Sequence, residues 1–584
     1  MKADIFKGLN AQQKAAVSYT EGPSIILAGA GSGKTRVLIH KVLHLIHDLK
    51  VDPSSIIMIT FTNKAAGEMK KRIALQTEKK LGYVGTFHSF CAMVLRKEGR
   101  SIGIPVDFTI YDDDDQQTLI KHILKEKDIK KYTASYIANR ISTAKNVLVG
   151  PERYLRTFQD YSGAVVCPVY EEYEKRMKKN DAVDFDDLIL KTVQLFIRHD
   201  DILDRYQNKF SHIFVDEFQD TNYAQYTFTR KLSEKNKMVT VVGDFSQSIY
   251  SWRGADIRNL EKFQDDFKLA KVFNLEVNYR STQRILDYAF EIISKNEGHP
   301  ILKLRTENLG GEDVIVYEAH DEQDEAFYVV HEIEKLKYQF SYQNIAVLYR
   351  TNAQSRVIEE AFLHYNIPYT LIGGTRFYER KEVKDILSYL RLLVNPIDEV
   401  SKDRVEKLGK RRFLQFADLY KKIYTKIQSI PTIELMEQIF ASTNYLDLYS
   451  PDDPEDFGRL ENIKELKSVA GQYPDVVIFL QQVALVESEY SEGEKKRRNV
   501  DGVRLMTLHQ AKGLEFSAVF IVGLEDGILP HSRSIDDFFQ LEEERRLFYV
   551  GVTRAQYLLY ITHARRRYIF GKRGETVTSR FIGG

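Results

Sequence analysis

Short apolar runs alternate along the chain with segments whose apolar residues recur at helical spacing. SIIL (Ser24 to Leu27) predicts a buried strand, and TRVLIHKVLHLIHDL (Thr35 to Leu49) predicts an amphipathic helix. HIFV (His212 to Val215) and VTVVGD (Val239 to Asp244) predict two further strands, because runs this apolar are typical of strands buried on both faces. The pattern indicates an α/β fold built on a parallel sheet.

Two long segments interrupt this α/β pattern. After GTFHSF (Gly85 to Phe90) the chain becomes helical and rich in Lys and Glu until VDFDDLI (Val183 to Ile189). A second helical stretch follows RLLVNP (Arg391 to Pro396), and strand character returns at RRNVDGVRLMTL (Arg497 to Leu508). These stretches predict two helical insertions. Within the second, the acidic, proline-containing SPDDPEDF (Ser450 to Phe457) predicts an exposed loop.

Composition narrows the class of protein. The 584 residues are 43% hydrophobic and 29% charged, as expected of a globular chain with several domains. Cys91 and Cys167 have no metal-ligand pattern around them, so we expect buried thiols in a reducing compartment. The sequence shows neither a signal region nor an apolar run long enough to span a bilayer, which favours a cytoplasmic location and no membrane partner. The net charge of +1 argues against a uniformly basic nucleic-acid coat, but not against a basic track on one face.

A glycine-rich turn separates the first predicted strand from the helix. Its sequence AGAGSGKT fits the phosphate-binding pattern Ala-x-x-x-x-Gly-Lys-Thr. Glycines let successive backbone N–H groups converge on phosphate oxygens, and the helix N-terminus adds a positive dipole. Lys34 is expected to reach the β- and γ-phosphates, and the Thr35 hydroxyl to bind magnesium. A chance glycine-rich loop is the alternative, but the flanking elements favour a nucleoside triphosphate site formed by Ala28, Gly29, Ala30, Gly31, Ser32, Gly33, Lys34 and Thr35.

Polar side chains follow the two later strands. Asp216 is expected to hold magnesium through water, and Glu217 to orient and deprotonate the attacking water. Gln247 lies beyond the end of the next strand, where a neutral amide can sense the γ-phosphate. Two adjacent acids after a strand are common, so this interpretation depends on the P-loop.

An aromatic cluster follows Gln247 at once. Tyr250, Trp252 and Arg253 are side chains of the kind that stack on unpaired bases. Trp252 is the only tryptophan of the chain, and taken alone such a residue is more often part of a hydrophobic core. Both interpretations of Trp252 are open at this stage.

The chain resembles the superfamily 1 DNA helicases of the UvrD/Rep/PcrA group. The resemblance runs from Leu9 to about Phe581, thins at 99–180 and 397–499, and rests on LNAQQKAAV, AGAGSGKTR, ITFTNKAAGEM, GTFHSF, VDEFQDTNYAQ, VVGDFSQSIYSWRGA, LEVNYRST, VRLMTLHQAKGLEF and YVGVTRA, in that order. It implies an α/β fold of two tandem RecA-like P-loop domains, each interrupted by a mainly helical insertion. The expected boundaries are 1–88 and 206–276 for motor domain 1, 89–205 for its insertion, 277–376 and 501–584 for motor domain 2, and 377–500 for a reduced second insertion.

The resemblance also implies roles for individual residues. At the ATP site it assigns Gln13 to the adenine, Arg36 to the phosphates, Tyr279 to stacking on the base and Glu515 to the ribose. Arg280 and Arg554 match the two arginine fingers, which complete a catalytic set with Lys34, Glu217 and Gln247. The single-strand DNA track is expected to include Phe61, Thr62, Asn63, His88, Ser89, Tyr250, Trp252, Arg253 and His509. For His88 and His509 a structural histidine is the alternative.

The sequence departs from the family pattern in three places. GDFSQ carries Phe245 and Ser246 where relatives often have acids. The second insertion has no match to the Gly-Ile-Gly turn that contacts duplex DNA, and the nearest segment, KLGKRRFLQF (407–416), is basic with a single glycine. The sequence ends at TSRFIGG, without the C-terminal extension of many relatives.

The function expected from these features is that of an ATP- and Mg²⁺-dependent 3′–5′ DNA helicase or translocase. The expected partners are single-stranded DNA, 3′-tailed duplex and proteins of DNA repair or replication, and the expected state is a monomer or weak dimer. One alternative is a translocase that strips bound proteins from single strands with little unwinding. The motor subunit of a helicase–nuclease is disfavoured because no nuclease domain precedes residue 584, and a non-motor regulator because no catalytic position is damaged.

Overall fold

A computed structural model describes residues 5–77, 79–159, 161–308, 310–497, 501–569 and 572–582. Its contacts divide the chain into two compact units. The first comprises Met1–Arg280 and Asn296–Asn308, and the second comprises Ser281–Lys295 and Leu309–Gly584.

The first unit is built on a parallel sheet. Its strands are β1 Ser24–Ala28, β2 Ile56–Thr60, β3 Tyr83–Thr86, β4 Thr109–Tyr111, β5 Ala182–Asp184, β6 His212–Val215, β7 Val239–Gly243, β8 Lys271–Leu275, β9 Val277–Asn278 and β10 Arg305–Thr306. The six-stranded sheet has the order β3-β2-β6-β7-β1-β8, and all its strands run parallel. The predicted strands at 24, 212 and 239 are therefore confirmed, and their carboxyl ends meet at one edge.

Helices cover both faces of this sheet. The helices of this unit, including those of its insertion, are α1 Ala11–Ser18, α2 Lys34–His47, α3 Asn63–Ala74, α4 Phe87–Glu98, α5 Asp113–Glu126, α6 Ala134–Asn146, α7 Pro151–Thr157, α8 Gly163–Lys179, α9 Phe185–Arg198, α10 Asp200–Lys209, α11 Tyr223–Ser233 and α12 Asn259–Asp266. Along β1, Ile25 and Leu27 pack into one hydrophobic cluster, whereas Ile26 and Ala28 pack into another. Because side chains of a strand alternate in direction, one apolar run supplies both cores.

The first insertion contains α5 to α8 and has a hydrophobic cluster of its own, centred on residues such as Ile123, Ile141, Tyr154 and Tyr173. It is mainly helical, as expected. The pairing of β4 with β5, which joins the start and end of this segment, was not apparent from the sequence. Each of the two strands has only three residues, too few for a recognisable pattern.

The second unit repeats the architecture. Its strands are β11 Ile315–Ala319, β12 Ile345–Tyr349, β13 Tyr369–Leu371, β14 Val503–Thr507, β15 Phe516–Ile521, β16 Ala555–Ala564, β17 Arg566–Ile569 and β18 Lys572–Glu575. The sheet order is β11-β16-β15-β12-β14-β13, again all parallel. The predicted tandem of parallel α/β domains is confirmed.

The helices of this unit are α13 Gln283–Ile293, α14 Glu322–Leu336, α15 Ser355–His364, α16 Lys381–Val394, α17 Glu399–Lys407, α18 Lys410–Ile423, α19 Thr432–Thr443, α20 Pro454–Gln472, α21 Val476–Arg497 and α22 Phe538–Val552. Helices α16 to α21 enclose the hydrophobic cluster of the second insertion.

In this insertion the loop predicted at 450–457 is partly wrong, because α20 begins at Pro454. Asp453 is buried and caps this helix by accepting from the N–H groups of Glu455 and Asp456. Asp and Pro favour helix starts as much as loops, which explains the error.

The contact-based division also differs from the expected boundary at 277. Residues 277–280 and 296–308 belong to the first unit, while α13 belongs to the second.

Cys91 and Cys167 are buried free thiols, as expected. Across the described residues no single helix meets the length and hydropathy required to cross a bilayer. A bent pair, Glu455–Gln472 with Val476–Val486, passes by length and composition alone.

Candidate nucleotide and nucleic-acid sites

The P-loop joins β1 to α2 through a left-handed turn. Gly31 and Gly33 have φ angles of +65° and +86°, which other residues rarely adopt. The backbone N–H and the hydroxyl of Ser32 both donate to the Gly29 carbonyl, at 3.2 and 2.8 Å. Helix α2 then begins at Lys34. The loop therefore has the form that holds phosphate at a helix N-terminus.

Residues 278–280 close over the P-loop within the first unit. Asn278 Nδ2 donates to the Ala30 carbonyl at 2.7 Å, and the Tyr279 N–H donates to the Gly31 carbonyl at 3.0 Å. A Cβ at position 31 would lie 2.7 Å from Asn278 Nδ2 and 2.8 Å from Arg280 Cβ, so the close approach requires glycine. The predicted stacking tyrosine and first arginine finger are thus neighbours of the phosphate loop.

Gln13 is buried in the first turn of α1. Its Oε1 accepts from the Asn10 N–H at 3.2 Å, and its Nε2 donates to the Ser32 carbonyl at 2.9 Å. Asn10 caps the helix through its Oδ1 and donates from Nδ2 to the Tyr279 hydroxyl at 2.8 Å. The structure therefore brings Gln13, Tyr279 and the P-loop together. Arg36 is exposed in the first turn of α2.

The two predicted acids lie where β6 ends. Asp216 is buried, and its N–H donates to the Ile59 carbonyl of β2 at 2.9 Å. Glu217 follows with a φ angle of +51°, uncommon for a non-glycine residue, which turns the chain sharply out of the strand. Lys34 Nζ lies 3.4 Å from Glu217 Oε2. The end of β6 and the P-loop thus place a cation beside the acids.

Burial and charge change the acidity of this edge of the sheet. Burial, with the neighbouring Glu217 charge, raises the pKa of Asp216 to about 7, and Lys34 opposes the shift. Burial likewise raises the pKa of Asp244, the residue after β7, again against the effect of Lys34. Carboxyl groups in this environment are stabilised in their charged form by any cation that binds beside them.

Gln219 connects Glu217 with the segment that carries Gln247. Its Nε2 donates to Glu217 Oε2 at 2.6 Å, and its Oε1 accepts from the Asp244 N–H at 3.1 Å. Gln247 Nε2 in turn donates to Asp244 Oδ2 at 2.6 Å. Sequence reasoning missed Gln219. Its only signal was its position two residues after Glu217 in an otherwise assigned motif.

The local residues suit magnesium. This ion prefers oxygen ligands and takes one or two protein groups together with phosphate and water. Thr35 lies half-buried in the first turn of α2, and Asp216 offers a buried carboxylate at the end of β6. Among the residues that the structure describes, no group of three or more His, Cys, Asp or Glu side chains is arranged to hold a metal.

The predicted residues of the second unit lie near the ends of β14, β15 and α22. Arg554 is almost fully buried, and its guanidinium donates to the carbonyls of Val550 and Leu514 and to Thr553 Oγ1, at 2.9 to 3.1 Å. Glu515, the residue after Leu514, is exposed and accepts from Gln556 at 3.2 Å. Arg554 and Glu515 are therefore neighbours. His509 lies in the turn that follows β14.

On the first unit, the predicted single-strand residues cluster at two helix starts. Thr62 caps α3, Asn63 is exposed at its first position, and half-buried Phe61 packs edge-on against Phe87. At α4, Ser89 is exposed and bonds the capping residue Thr86 at 2.7 Å. Threonine, serine and asparagine at helix starts present hydroxyl, amide and backbone N–H groups, which suit phosphate contacts.

An unpredicted aromatic residue adjoins this region. His88 makes an edge contact with Phe185, with ring centroids 6.0 Å apart, and burial lowers the pKa of His88. Phe185 is the first residue of α9, and 49% of it is exposed. Nothing in VDFDDLI marks Phe185 as an exposed ring beside His88, because apolar and acidic residues alternate along this segment.

In the turn after β7, Trp252 and Arg253 are exposed and Tyr250 is half-buried. Trp252 is 48% exposed, which excludes the core interpretation for this residue. The Arg253 guanidinium lies 4.5 Å from the Trp252 ring centroid and 5.7 Å from that of Tyr250. The loop thus presents aromatic surface together with a cation, the combination that stacks unpaired bases.

Comparisons with known proteins agree with this arrangement. The model of the UvrD/REP helicase N-terminal domain matches residues 9–268, and that of the UvrD-like helicase C-terminal domain matches 273–450 and 403–566. The protein named ATP-dependent DNA helicase PcrA from Staphylococcus epidermidis is 42% identical over 635 aligned positions, covering 99% of this chain and 86% of that protein. The Staphylococcus aureus protein of the same name is 41% identical over 631 positions, with 98% and 86% covered. The chain therefore belongs to the UvrD/Rep/PcrA group, a family of ATP-dependent DNA helicases.

Proposed function

We propose that this chain uses ATP to move 3′ to 5′ along single-stranded DNA and to unwind the duplex ahead of it. The observation that supports this most directly lies within the first unit. Lys34 of the P-loop lies beside Glu217, and Gln247 bonds Asp244 at the end of β7. Three residues after Gln247 the chain reaches Tyr250 and then the exposed Trp252. ATP chemistry and base stacking thus share one short stretch of chain.

In this proposal each nucleotide-site residue has one task. The P-loop amides and Lys34 bind the phosphates, while Thr35 and Asp216 hold Mg²⁺, which when bound neutralises charge on the phosphate oxygens. Glu217 Oε2 accepts the proton of the attacking water, and Gln247 orients that water. Gln13 and Tyr279 bind the adenine, Glu515 the ribose, and Arg36, Arg280 and Arg554 the phosphates as charge develops.

On the nucleic-acid side, Tyr250 and Trp252 stack on bases and Arg253 adds a cation–π contact. Thr62, Asn63 and Ser89 contact phosphate, and Phe61, His88 and His509 complete the track. Stacking and phosphate contacts carry no sequence information, so the motor acts on any sequence. We propose a cytoplasmic role in DNA repair or replication, for a monomer or weak dimer, with 3′-tailed duplex as substrate.

A second candidate function is translocation with little unwinding. It is favoured by the basic segment 407–416, which has a single glycine, Gly409, where a duplex-contacting turn would need more. Gly409 lies between α17 and α18 with a φ angle of +127°. Lys407, Lys410 and Arg411 around it are exposed. Such side chains give loose, salt-sensitive duplex contact in place of a close backbone approach.

One set of assays distinguishes these functions. ATP turnover is measured with single strands and with 3′-tailed and 5′-tailed duplexes, next to strand separation and displacement of a protein bound to a single strand. We expect single strands to stimulate turnover and the 3′-tailed duplex alone to be unwound. Protein displacement without strand separation selects the second candidate, and preference for the 5′ tail contradicts the proposed direction.

A further inference from the structure

The C-terminal end of α6, in the first insertion, touches two segments of the motor. Asn146, the last residue of α6, accepts a hydrogen bond from Asn222 Nδ2 at 2.7 Å. Asn222 caps α11, directly after the catalytic acids and Gln219. On its other side the Asn146 side chain lies against Gly254, where a Cβ would come within 3.3 Å of its Nδ2. Gly254 ends the turn that presents Trp252.

The hydrogen-bond pattern fixes how the two amides face each other. Asn222 Oδ1 is committed to the helix, because it accepts from the Gln225 N–H at 2.8 Å. Its Nδ2 is therefore the donor, and Asn146 must present Oδ1 to it. The Nδ2 of Asn146 then points to Ser142 Oγ, at 3.4 Å. The link is a directed amide–amide bond, not an accidental approach of two polar side chains.

Asn146 is itself held in place by its neighbour. Lys145 is fully buried, and its Nζ lies 2.7 Å from Asp184, 3.0 Å from Asp187 and 2.9 Å from Glu174. These carboxylates come from the end of β5, from α9 and from α8. A buried cation with three partners fixes the end of α6 against the rest of the insertion, since moving it would leave charges unpaired.

The two segments that Asn146 touches have distinct parts in the motor. Upstream of Asn222, Gln219 bonds Glu217, so the first segment carries the catalytic carboxylate. The second segment closes on itself, with the Gly254 N–H donating to the Ser251 carbonyl at 2.8 Å, and presents Trp252 to solvent. Asn146 thus contacts both segments. It adds to the direct bonds between them, in which Ser248 Oγ donates to the Gln219 carbonyl at 3.1 Å and the Asp256 N–H donates to the Thr221 carbonyl at 3.0 Å.

We infer that Asn146 is a positioning residue that couples the catalytic segment 216–222 to the base-stacking turn 250–254. It holds both against the first insertion, so that DNA stacked on Trp252 favours the active placement of Glu217. This inference rests on the proposed function, because it concerns stimulation of ATP turnover by DNA. It assigns the first insertion a part in coupling as well as in DNA contact.

The first test compares Asn146→Ala with Asn139→Ala. Asn139 is a half-buried asparagine of the same helix whose side chain bonds Thr143 one turn on, at 3.5 Å. We expect Asn146→Ala to keep turnover without DNA within about two-fold and to lower DNA-stimulated kcat on the order of tenfold, with the ATP KM little changed. Asn139→Ala should keep both rates. An equal loss of basal and stimulated turnover would indicate general damage to the site and would overturn the inference.

A second set of variants preserves residue size and guards against misfolding. Asn146→Asp still accepts from Asn222. Asn222→Asp still caps α11 and accepts from the Nδ2 of a rotated Asn146 amide, while the Ser142 hydroxyl keeps its bond to Asp186. The double variant places two carboxylates face to face and has no donor between them. We expect both single variants to retain DNA stimulation and the double variant to lose it. Stimulation that persists in the double variant contradicts the inference.

A spectroscopic measurement separates this inference from the proposed function. Trp252 is the only tryptophan, so its fluorescence anisotropy reports motion of the turn in the absence of DNA. We expect lower anisotropy in Asn146→Ala and in the double variant, with the control unchanged. If the natural protein shows no stimulation by DNA, the proposed function fails, while the anisotropy still tests the link. Equal anisotropy in all variants overturns the link itself.

Discussion

At the scale of single residues, the pairing of Lys34 with Glu217 has a direct consequence for turnover. Glu217→Gln keeps the shape of the side chain but removes the carboxylate that takes the proton. We expect this variant to bind ATP and DNA and to hydrolyse ATP more slowly by ~100-fold or more. Lys34→Ala should abolish turnover, because the phosphates lose their cation. DNA-stimulated kcat and nucleotide binding measure both effects, and near-normal hydrolysis by Glu217→Gln would exclude the assignment of the base.

The exposure of Trp252 leads to a second expectation. Trp252→Ala removes one stacking surface and no core packing, so single-strand affinity should fall by ~1–3 kcal/mol, the usual worth of one stacked base. The melting temperature and DNA-independent turnover should stay close to those of the natural protein. Tyr338→Ala is a suitable control, since Tyr338 is an 84% exposed aromatic residue on the second unit. Binding titrations at fixed salt test this, and a variant that precipitates would point to a structural role.

Whether a site residue could be recognised from the sequence depended on how much of its role shows in the residues next to it along the chain. The P-loop, Asp216 and Gln247 stand at strand ends that apolar runs mark, so local pattern was sufficient. Trp252 could not be assigned from pattern alone, because the same residue type serves cores and surfaces. Phe185 and Asn146 were missed for another reason. Their neighbours His88 and Asn222 lie 97 and 76 positions away, and only the folded insertion brings them together.

At the scale of elements, the strands were predictable and their order was not. Apolar runs of four or five residues marked β1, β6 and β7, since a strand covered on both faces excludes polar residues. The order β3-β2-β6-β7-β1-β8 depends on pairing between distant segments and leaves no local trace. The start of α20 was mispredicted for a local reason, because Asp453 and Pro454 suit a loop as well as they suit the start of a helix.

Helix α2 carries a further testable feature on its buried face. Lys41 donates to the Ala16 carbonyl at 3.0 Å and to Ser24 Oγ at 3.4 Å, and burial lowers its pKa from 10.5 to about 7. Between these values the unfolded chain binds a proton that the folded chain lacks, so the free energy of unfolding rises with pH across this window. Lys41→Met removes this dependence. The melting temperature of the variant minus that of the natural protein should therefore be highest near pH 7 and decline towards pH 10.

Thermal melts across that pH range check the prediction. Lys14→Met provides the matched control, because Lys14 is exposed on α1. Its melting temperature relative to the natural protein should not follow the same trend with pH. A difference for Lys41→Met that stays constant from pH 7 to pH 10 would show that Lys41 remains charged in the folded protein.

At the scale of the whole molecule, the packing of the second insertion starts before the helical stretch that follows Pro396. Helix α16, which lies inside the expected bounds 377–500, already packs into the insertion. Ile386, Leu390 and Leu393 of α16 belong to the hydrophobic cluster that also holds Ile439 and Leu466. The apolar packing of the insertion therefore begins one helix before the stretch that follows Pro396. A cut made at 397 would expose the apolar face of α16, whereas a cut before α16 removes most of the cluster and leaves only Leu363, Phe377 and Tyr378 of its buried residues.

This difference predicts the outcome of two deletions, each rejoined by a short Gly/Ser linker. Removal of 397–502 should give a protein that aggregates, since exposed apolar patches above a few hundred Å² are association sites. Removal of 381–502 should give a soluble protein that retains most DNA-stimulated ATP turnover, because Lys34, Glu217 and Arg554 lie outside the segment. Sedimentation and turnover at equal concentration compare the two. A soluble 381–502 deletion without stimulated turnover would show that the insertion takes part in the ATP cycle, and equal solubility of the two proteins would refute the assignment of α16.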